Sequence, residues 1–385
     1  MNIPTVFQRS VAAPSSEAAF GYIPLLDGAR LVAVSLVVMA HFNVSKLIPG
    51  GLGVTIFFFI SGFLISRLLM AESRKKIDIP KFYIRRFIRL TPPLIIMGVP
   101  TLALYAYFIP EQLYWPRIAA AFLYLGNFYN IGRDLLNWTE TVPGYSLLWS
   151  LAIEEHFYLI VPFLLTAIRD AGKRSALFVV IIVLSLAIRA IAFTTIENHE
   201  DFNYYFTLTR FDSLAWGCLL SSMCDDPRAL GIVKSLRTYL AAIAGIILLL
   251  LSLALRQPLM QSVLGYTLQG AGLFLTINFV LFDERMDFVR WISEWRPFRF
   301  LGRISYEIYL WHLHARTLVT LFLLPPALTL VLSVLATIAL SSAAYFIATS
   351  FSRKWRRKFG GHPVDPKTGP HAASETTGAT IGGTA

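Results

Sequence analysis

The chain has 385 residues, of which 56% are hydrophobic and 15% charged, with a mean hydropathy of +0.60. Soluble domains carry about 25% charged residues, so this composition excludes an ordinary soluble enzyme and predicts a polytopic membrane protein. The net charge of +11 argues little for nucleic acid as a partner, because the Lys and Arg residues gather in short segments between apolar runs, as membrane orientation by positive loops requires.

Residues 1–22 lack the basic-then-apolar pattern of a cleavable signal peptide. They are expected to be a cytoplasmic N-terminal segment, with the first apolar run retained. Apolar runs of about 18–25 residues mark candidate spans. They lie near 25–43, 51–70, 92–109, 147–168, 175–196, 204–223, 238–255, 260–282, 301–324 and 326–350. The shorter stretch 117–129 allows either count. The basic segments are 72–91, 169–174, the Arg228–Lys234–Arg237 loop, the Arg285–Arg303 loop and RKWRRK at 353–358. All fall on one side of the membrane only if 117–129 does not cross. The expected fold is therefore all-α, a polytopic transmembrane helix bundle of about ten spans filling 23–352, with both termini cytoplasmic. A basic and then disordered tail, 353–385, follows. Cys218 and Cys224 give neither a disulfide framework nor metal-ligand spacing, and no metal is expected.

Ionisable residues inside these spans are the pointers to chemistry. In LLDGARLVAVSLVVMAHF, Arg30 and His41 are 11 residues apart, which places them on one helical face, about 16 Å apart along the axis. Asp27 is close to the same stripe. Arg30 is read either as a snorkelling residue or as part of a lined path, and neutral His41 suits removal of a proton from a hydroxyl. In YSLLWSLAIEEHFYLIVPFLL, Ser150, Glu154 and Tyr158 share a face at i, i+4 and i+8. Glu155 and His156 are rotated away and are read as structural. Glu154 is either an ion-pair partner for an arginine on another helix or, at a depth matching His41, a neighbour of that histidine. In YIRRFIRLTPP, Arg85 precedes Arg86 and Arg89, which stand at i, i+3 and can converge on one anion. They are read either as a lipid-binding topology signal or as a phosphate clamp, and Pro92 and Pro93 as the turn into the next span. In FLGRISYEIYLWHLH, Ser305, Tyr309 and His312 share a face, and Arg303 and Glu307 are spaced to pair. A lone mid-span histidine such as His312 is read first as a hydrogen-bond partner of a neighbouring helix. Arg210 and Asp212 are candidates for a polar substrate and equally for a structural pair. The glycines of GGLGVTIFFFISGFL suit close helix packing.

In this order, LDGARLVAVSLVVMAHF, GGLGVTIFFFISGFLIS, RRFIRL, SLLWSLAIEEHFYLIVPFLL, TRFDSLAWGCLL and LGRISYEIYLWH resemble the membrane acyltransferase-3 family, the bacterial O-acyltransferases of cell-surface and secreted glycans. The resemblance covers about residues 22–350. It implies ten or so spans in the bacterial cytoplasmic (inner) membrane, an acyl-CoA donor, usually acetyl-CoA, on the cytoplasmic side, and a carbohydrate hydroxyl as acceptor. Carried over by position, His41 is the catalytic histidine and Arg30 completes its motif. Arg86 and Arg89 match the arginine pair, and Glu154 matches the carboxylate after Trp149–Ser150–Leu151. Two positions depart from the pattern: His156 stands where glutamine is usual, and Glu307 where a small or polar residue is common. An appended SGNH-type hydrolase domain, frequent in the family, is not expected here. The resulting expectation is O-acylation, with Arg86, Arg89 and Arg30 holding acyl-CoA. His41 is the base and Glu154 orients it. The acyl group crosses the 16 Å either on an extended pantetheine arm or by relay on His41. The competing expectation is a transporter or flippase of a lipid-linked glycan. Acceptor identity, chain length and oligomeric state are not legible.

Overall fold

A computed structural model describes residues 23–73, 78–135, 142 and 144–358, which form helices and turns with no strand among them. The expected N-terminal segment 1–22, part of the polar loop (136–141 and 143) and the tail 359–385 lie outside the described residues. In chain order the helices are α1 (Pro24–His41), α2 (Gly50–Ser73), α3 (Ile79–Phe108), α4 (Trp115–Phe122), α5 (Gly126–Leu135), α6 (Trp149–Ala167), α7 (Ala171–Thr195) and α8 (His199–Tyr205). Then come α9 (Thr207–Asp225), α10 (Pro227–Ser235), α11 (Tyr239–Ala254), α12 (Gly265–Phe282), α13 (Asp287–Glu294), α14 (Arg296–Arg303), α15 (Ser305–Thr320) and α16 (Pro326–Lys358).

Each of the ten apolar segments lies on helix. Seven of the described helical stretches are long and apolar enough to cross a membrane, and α10 with α11, bent by 82°, makes an eighth if the pair is one span. Helix α15 is too short at 16 residues and α9 too polar, and both belong to the buried interior, with Arg210, Asp212, Ser213, Ser221, Ser222, Ser305, His312 and His314 all buried. The outside is the reverse. Val180, Val183, Leu184 and Ile191 on α7, Leu250 on α11 and Leu335, Phe346 and Ile347 on α16 are each more than half exposed. Such an apolar belt is unfavourable in water and suits lipid. Stretch 117–129 forms two short helices, α4 and α5, broken at Tyr124, whose φ is +57°. Their 8 and 10 residues reach about 12 and 15 Å, half of a hydrocarbon core.

Three boundaries differ from the sequence reading. Pro92 and Pro93 do not mark a turn, because α3 runs unbroken through both for 30 residues, about 45 Å. The missing proline N–H groups cost α3 two internal bonds, and Tyr306 on α15 donates to the nearby Leu90 carbonyl at 3.0 Å. Arg85, Arg86 and Arg89 therefore ride on a membrane helix rather than in a loop. The expected span 301–324 is split at Ile304 into α14 and α15. Finally, α16 carries on through RKWRRK to Lys358.

Glycine sets the closest helix contact. A Cβ on Gly62 of α2 would strike the Leu214 carbonyl of α9, and one on Gly217 of α9 would strike that of Phe59. These backbones can touch only because both positions lack a side chain. A buried ion pair locks α9 on its other side. Arg189 of α7 and Asp212 are both fully buried and meet at 2.7 Å. Arg189 also donates to Thr267 at 2.6 Å and to the Val263 carbonyl at 2.9 Å. Val263 belongs to a π-helical turn, Met260–Leu264, entering α12, and such turns present carbonyls outside the regular ladder. Asp212 is thus a structural anchor tying α7, α9 and α12. Asp212→Ala leaves a buried guanidinium uncompensated and is expected to cost about 3–5 kcal/mol. Removing both charges (Arg189→Leu with Asp212→Leu) should recover most of that loss. Thermal unfolding of the detergent-purified variants checks both expectations.

Candidate active site

Helices α1, α2, α3, α6, α14 and α15 surround a cavity of about 960 Å³, with the open solvent at its mouth included. Its wall has two characters. Arg30 of α1, Arg86 and Arg89 of α3 and Arg303 of α14 supply four guanidiniums, while Glu154 is the one carboxylate among the lining residues. Helix α2 contributes an apolar surface of Val54, Phe57, Phe58, Leu64, Ile65 and Leu68. Ser61, Ser150, Tyr158, Ser305, Tyr306 and Tyr309 add hydroxyl-bearing side chains to the lining.

Three of the four arginines pair with carboxylates. Arg30 reaches Asp27 at 3.3 Å and Arg303 approaches the other oxygen of Asp27 at 3.8 Å. Arg86 lies 3.6 Å from Glu154 and 3.4 Å from Glu155, with its guanidinium 3.1 Å above the Tyr158 ring centre. The Tyr158 hydroxyl donates to Glu154. One long guanidinium thus joins two carboxylates that helix geometry alone points apart, and Glu155 belongs to the cluster after all. His156 does turn away, bonding Thr207 at 2.9 Å and packing on Phe128.

Ser150, Glu154 and Tyr158 line the cavity from α6 as their spacing predicts, and Ser305 and Tyr309 line it from α15. Ser150 and Tyr309 are hydrogen-bonded at 2.6 Å, and Tyr309 donates to the Leu147 carbonyl at 2.8 Å. Trp149 is buried behind this wall, against Phe58, Tyr204 and Tyr205. One turn beyond Tyr309, about 4.5 Å along α15, His312 is fully buried and bonds His41 at 2.8 Å. His41 itself is exposed at the end of α1, and Arg316 donates to its backbone carbonyl.

Glu154 is therefore not the neighbour of His41. The two were matched by depth, but depth says nothing of azimuth, and Glu154 faces the guanidiniums while His41 faces α15. Arg210 and Asp212 do not reach the cavity either. Arg210 is buried between Thr55, at 3.1 Å, and the Tyr266 ring, 3.9 Å from its centre. Sequence reasoning missed Arg303 as a cavity residue by pairing it with Glu307. It also missed Arg189, although a single arginine within LAIRAIAF is the same signal that singled out Arg30. Among the described residues, no group of three or more His, Cys, Asp or Glu could hold a metal ion.

The arrangement is suited to an elongated anionic ligand. Guanidinium forks bind phosphate, the apolar α2 wall accepts an uncharged arm, and an imidazole stands past the far end. The comparisons agree with this chemistry. A family model described as an acyltransferase domain matches residues 23–353. Peptidoglycan O-acetyltransferase OatA of Listeria monocytogenes is 33% identical over 313 residues, covering 78% of this chain and 50% of that protein. O-acetyltransferase OatA of Staphylococcus aureus (strain NCTC 8325 / PS 47) is 31% identical over 365 residues, 89% of this chain and 59% of the relative. The chain thus spans between half and three-fifths of the length of these curated relatives. No solved structure matches it. Matched over nearly all its described length, this chain belongs to the membrane acyltransferase-3 family.

Proposed function

We propose that the chain is a membrane O-acyltransferase that moves an acyl group, in the first place acetyl, from acyl-CoA to a hydroxyl of a cell-surface carbohydrate. The observation that carries this is one cavity lined both by four arginines and by the Ser150–Tyr309 pair, one helical turn from His312, which holds His41. The names of the OatA relatives support acetyl as the group and a glycan such as peptidoglycan as the acceptor. In this reading about ten helices cross the bacterial inner membrane with both termini in the cytoplasm, so that the arginine end faces the cytosol and His41 the opposite side. The positive loops support that orientation.

Arg86, Arg89, Arg30 and Arg303 hold the phosphates of the donor, and Glu154 sets the position of Arg86 instead of acting on His41. The pantetheine arm runs along α2 toward Tyr309. His41 takes the proton of the acceptor hydroxyl as its oxygen attacks the thioester carbonyl. The new C–O bond forms, the C–S bond breaks, and the departing CoA sulfur takes back the proton held by His41. No cofactor beyond the co-substrate is invoked.

Purified protein in detergent, given labelled acetyl-CoA and glycan fragments, should transfer label to the glycan. Translocation of a lipid-linked glycan without CoA release would replace this reading by a transporter. His41→Ala should lower turnover by about 10²–10⁴-fold, the usual worth of a general base, while the protein still inserts and purifies as wild type; undiminished turnover would remove His41 from the chemistry. Arg89→Gln should raise KM for acetyl-CoA by about 10-fold or more and leave kcat nearly unchanged, as expected when a charge-assisted bond to the donor is lost from ground and transition states alike. Steady-state kinetics in acetyl-CoA separate the two parameters, and an unchanged KM would exclude Arg89 from the donor site.

A further inference from the structure

His41 has two ring nitrogens, and only one can be the base. The contacts of His312 decide which. Nδ1 of His312 lies 2.8 Å from the Tyr309 carbonyl oxygen and 3.2 Å from that of Ile308. Carbonyl oxygens only accept, so this nitrogen carries the proton. His312 is 0% exposed, and a second proton would place a charge on a fully buried ring, at a large cost in lost solvation. Its Nε2 is therefore a bare acceptor. Nδ1 of His41 lies 2.8 Å from that Nε2, and one of the two must supply the hydrogen. His312 has none left to give at Nε2, so Nδ1 of His41 is protonated and Nε2 of His41 holds the lone pair.

Ring geometry supports the same assignment. The planes are 19° apart and the centres 5.0 Å apart. That separation is what the 2.8 Å bond plus one ring radius on each side requires, so the imidazoles lie edge to edge, with the hydrogen close to the plane of the accepting ring and its lone pair, and are not stacked face to face.

Resting on the reading of His41 as general base, we propose that His312 is a positioning residue: its tautomer, fixed by the α15 backbone, forces His41 to present a bare Nε2 to the acceptor hydroxyl. When Nε2 takes the proton, the Nδ1–H bond to His312 becomes charge-assisted and strengthens. A carboxylate commonly fills this place beside a catalytic histidine. Here a neutral imidazole does so, backed by a helix carbonyl, and the exposed His41 ring is held in one orientation.

Two experiments test this. Nitrogen-15 spectra of histidine-labelled wild-type protein in lipid, with the His41 signals identified by their loss in His41→Gln, should show a protonated Nδ1 and an unprotonated Nε2 on His41. A protonated Nε2 overturns the proposal, and this readout requires neither activity nor a folded His312 variant. In kinetics, His312→Leu should lower kcat by about 10²-fold or more, as loss of a tautomer-setting partner does, with KM for acetyl-CoA within about twofold of wild type because ground-state donor binding is untouched. His312→Gln, whose amide oxygen can accept from Nδ1, should restore at least about a tenth of the wild-type kcat through that one retained bond. Equal loss in the Leu and Gln variants, or full activity of the Leu variant, overturns the positioning role. Full activity of His41→Ala would instead overturn the general-base reading and leave the tautomer assignment standing.

Discussion

A guanidinium placed inside an apolar bundle must be solvated by the protein itself, and the two ways this chain meets that requirement separate its scaffold from its site. Arg189 is satisfied internally: Asp212, Thr267 and the Val263 carbonyl surround it, all within 3 Å and none exposed. Nothing further can bind there, and the group acts as a rivet among α7, α9 and α12. Around the cavity the ion pairs are longer. Arg30, Arg86 and Arg303 meet the carboxylates of Asp27, Glu154 and Glu155 at 3.3 to 3.8 Å. Four cations facing one lining carboxylate make a volume that an anion can neutralise, and the apolar surroundings strengthen that attraction relative to water.

Two helices connect the ends of this volume. Helix α1 carries Arg30 into the cavity and His41 beyond it. Helix α15 carries Ser305 and Tyr309 on the cavity wall and His312 against His41. The break at Ile304 allows this. Gly302 at the end of α14 packs directly on the Asp27 backbone of α1, where a side chain would force the helices apart. Arg303 is thereby brought to the cavity while α15 restarts at its own angle. The buried α15 is also where backbone carbonyls can set a histidine tautomer without competition from water.

The residues on single helix faces were legible because a helix repeats every 3.6 residues. Ser150, Glu154 and Tyr158 on α6, and Ser305, Tyr309 and His312 on α15, do share the faces that their spacing gives. The glycines of α2 mark a close contact for the reason their size suggests. The partner of Glu154 was not legible. Matching residues by depth across two helices ignores rotation about each axis, and the long Arg86 side chain reaches both Glu154 and Glu155 across an angle that short side chains cannot. The prolines at 92 and 93 were misread because a proline removes a hydrogen bond without always ending a helix when neighbouring helices hold both sides.

By itself the sequence determined that this is an all-helical membrane protein, where its apolar helices lie, the family motifs, and which ionisable residues are too costly at bilayer depth to be incidental. Those properties follow from local composition and helical period, which need no partner. Tertiary structure alone decided that Asp212 closes a rivet with Arg189, that Arg303 joins the cavity, and that His41 meets His312 rather than Glu154. Each of these depends on how helices distant in the chain are rotated and packed against one another, and that rotation is set by small-residue contacts such as Gly62 with Leu214 and Gly302 with Asp27, which no single segment encodes.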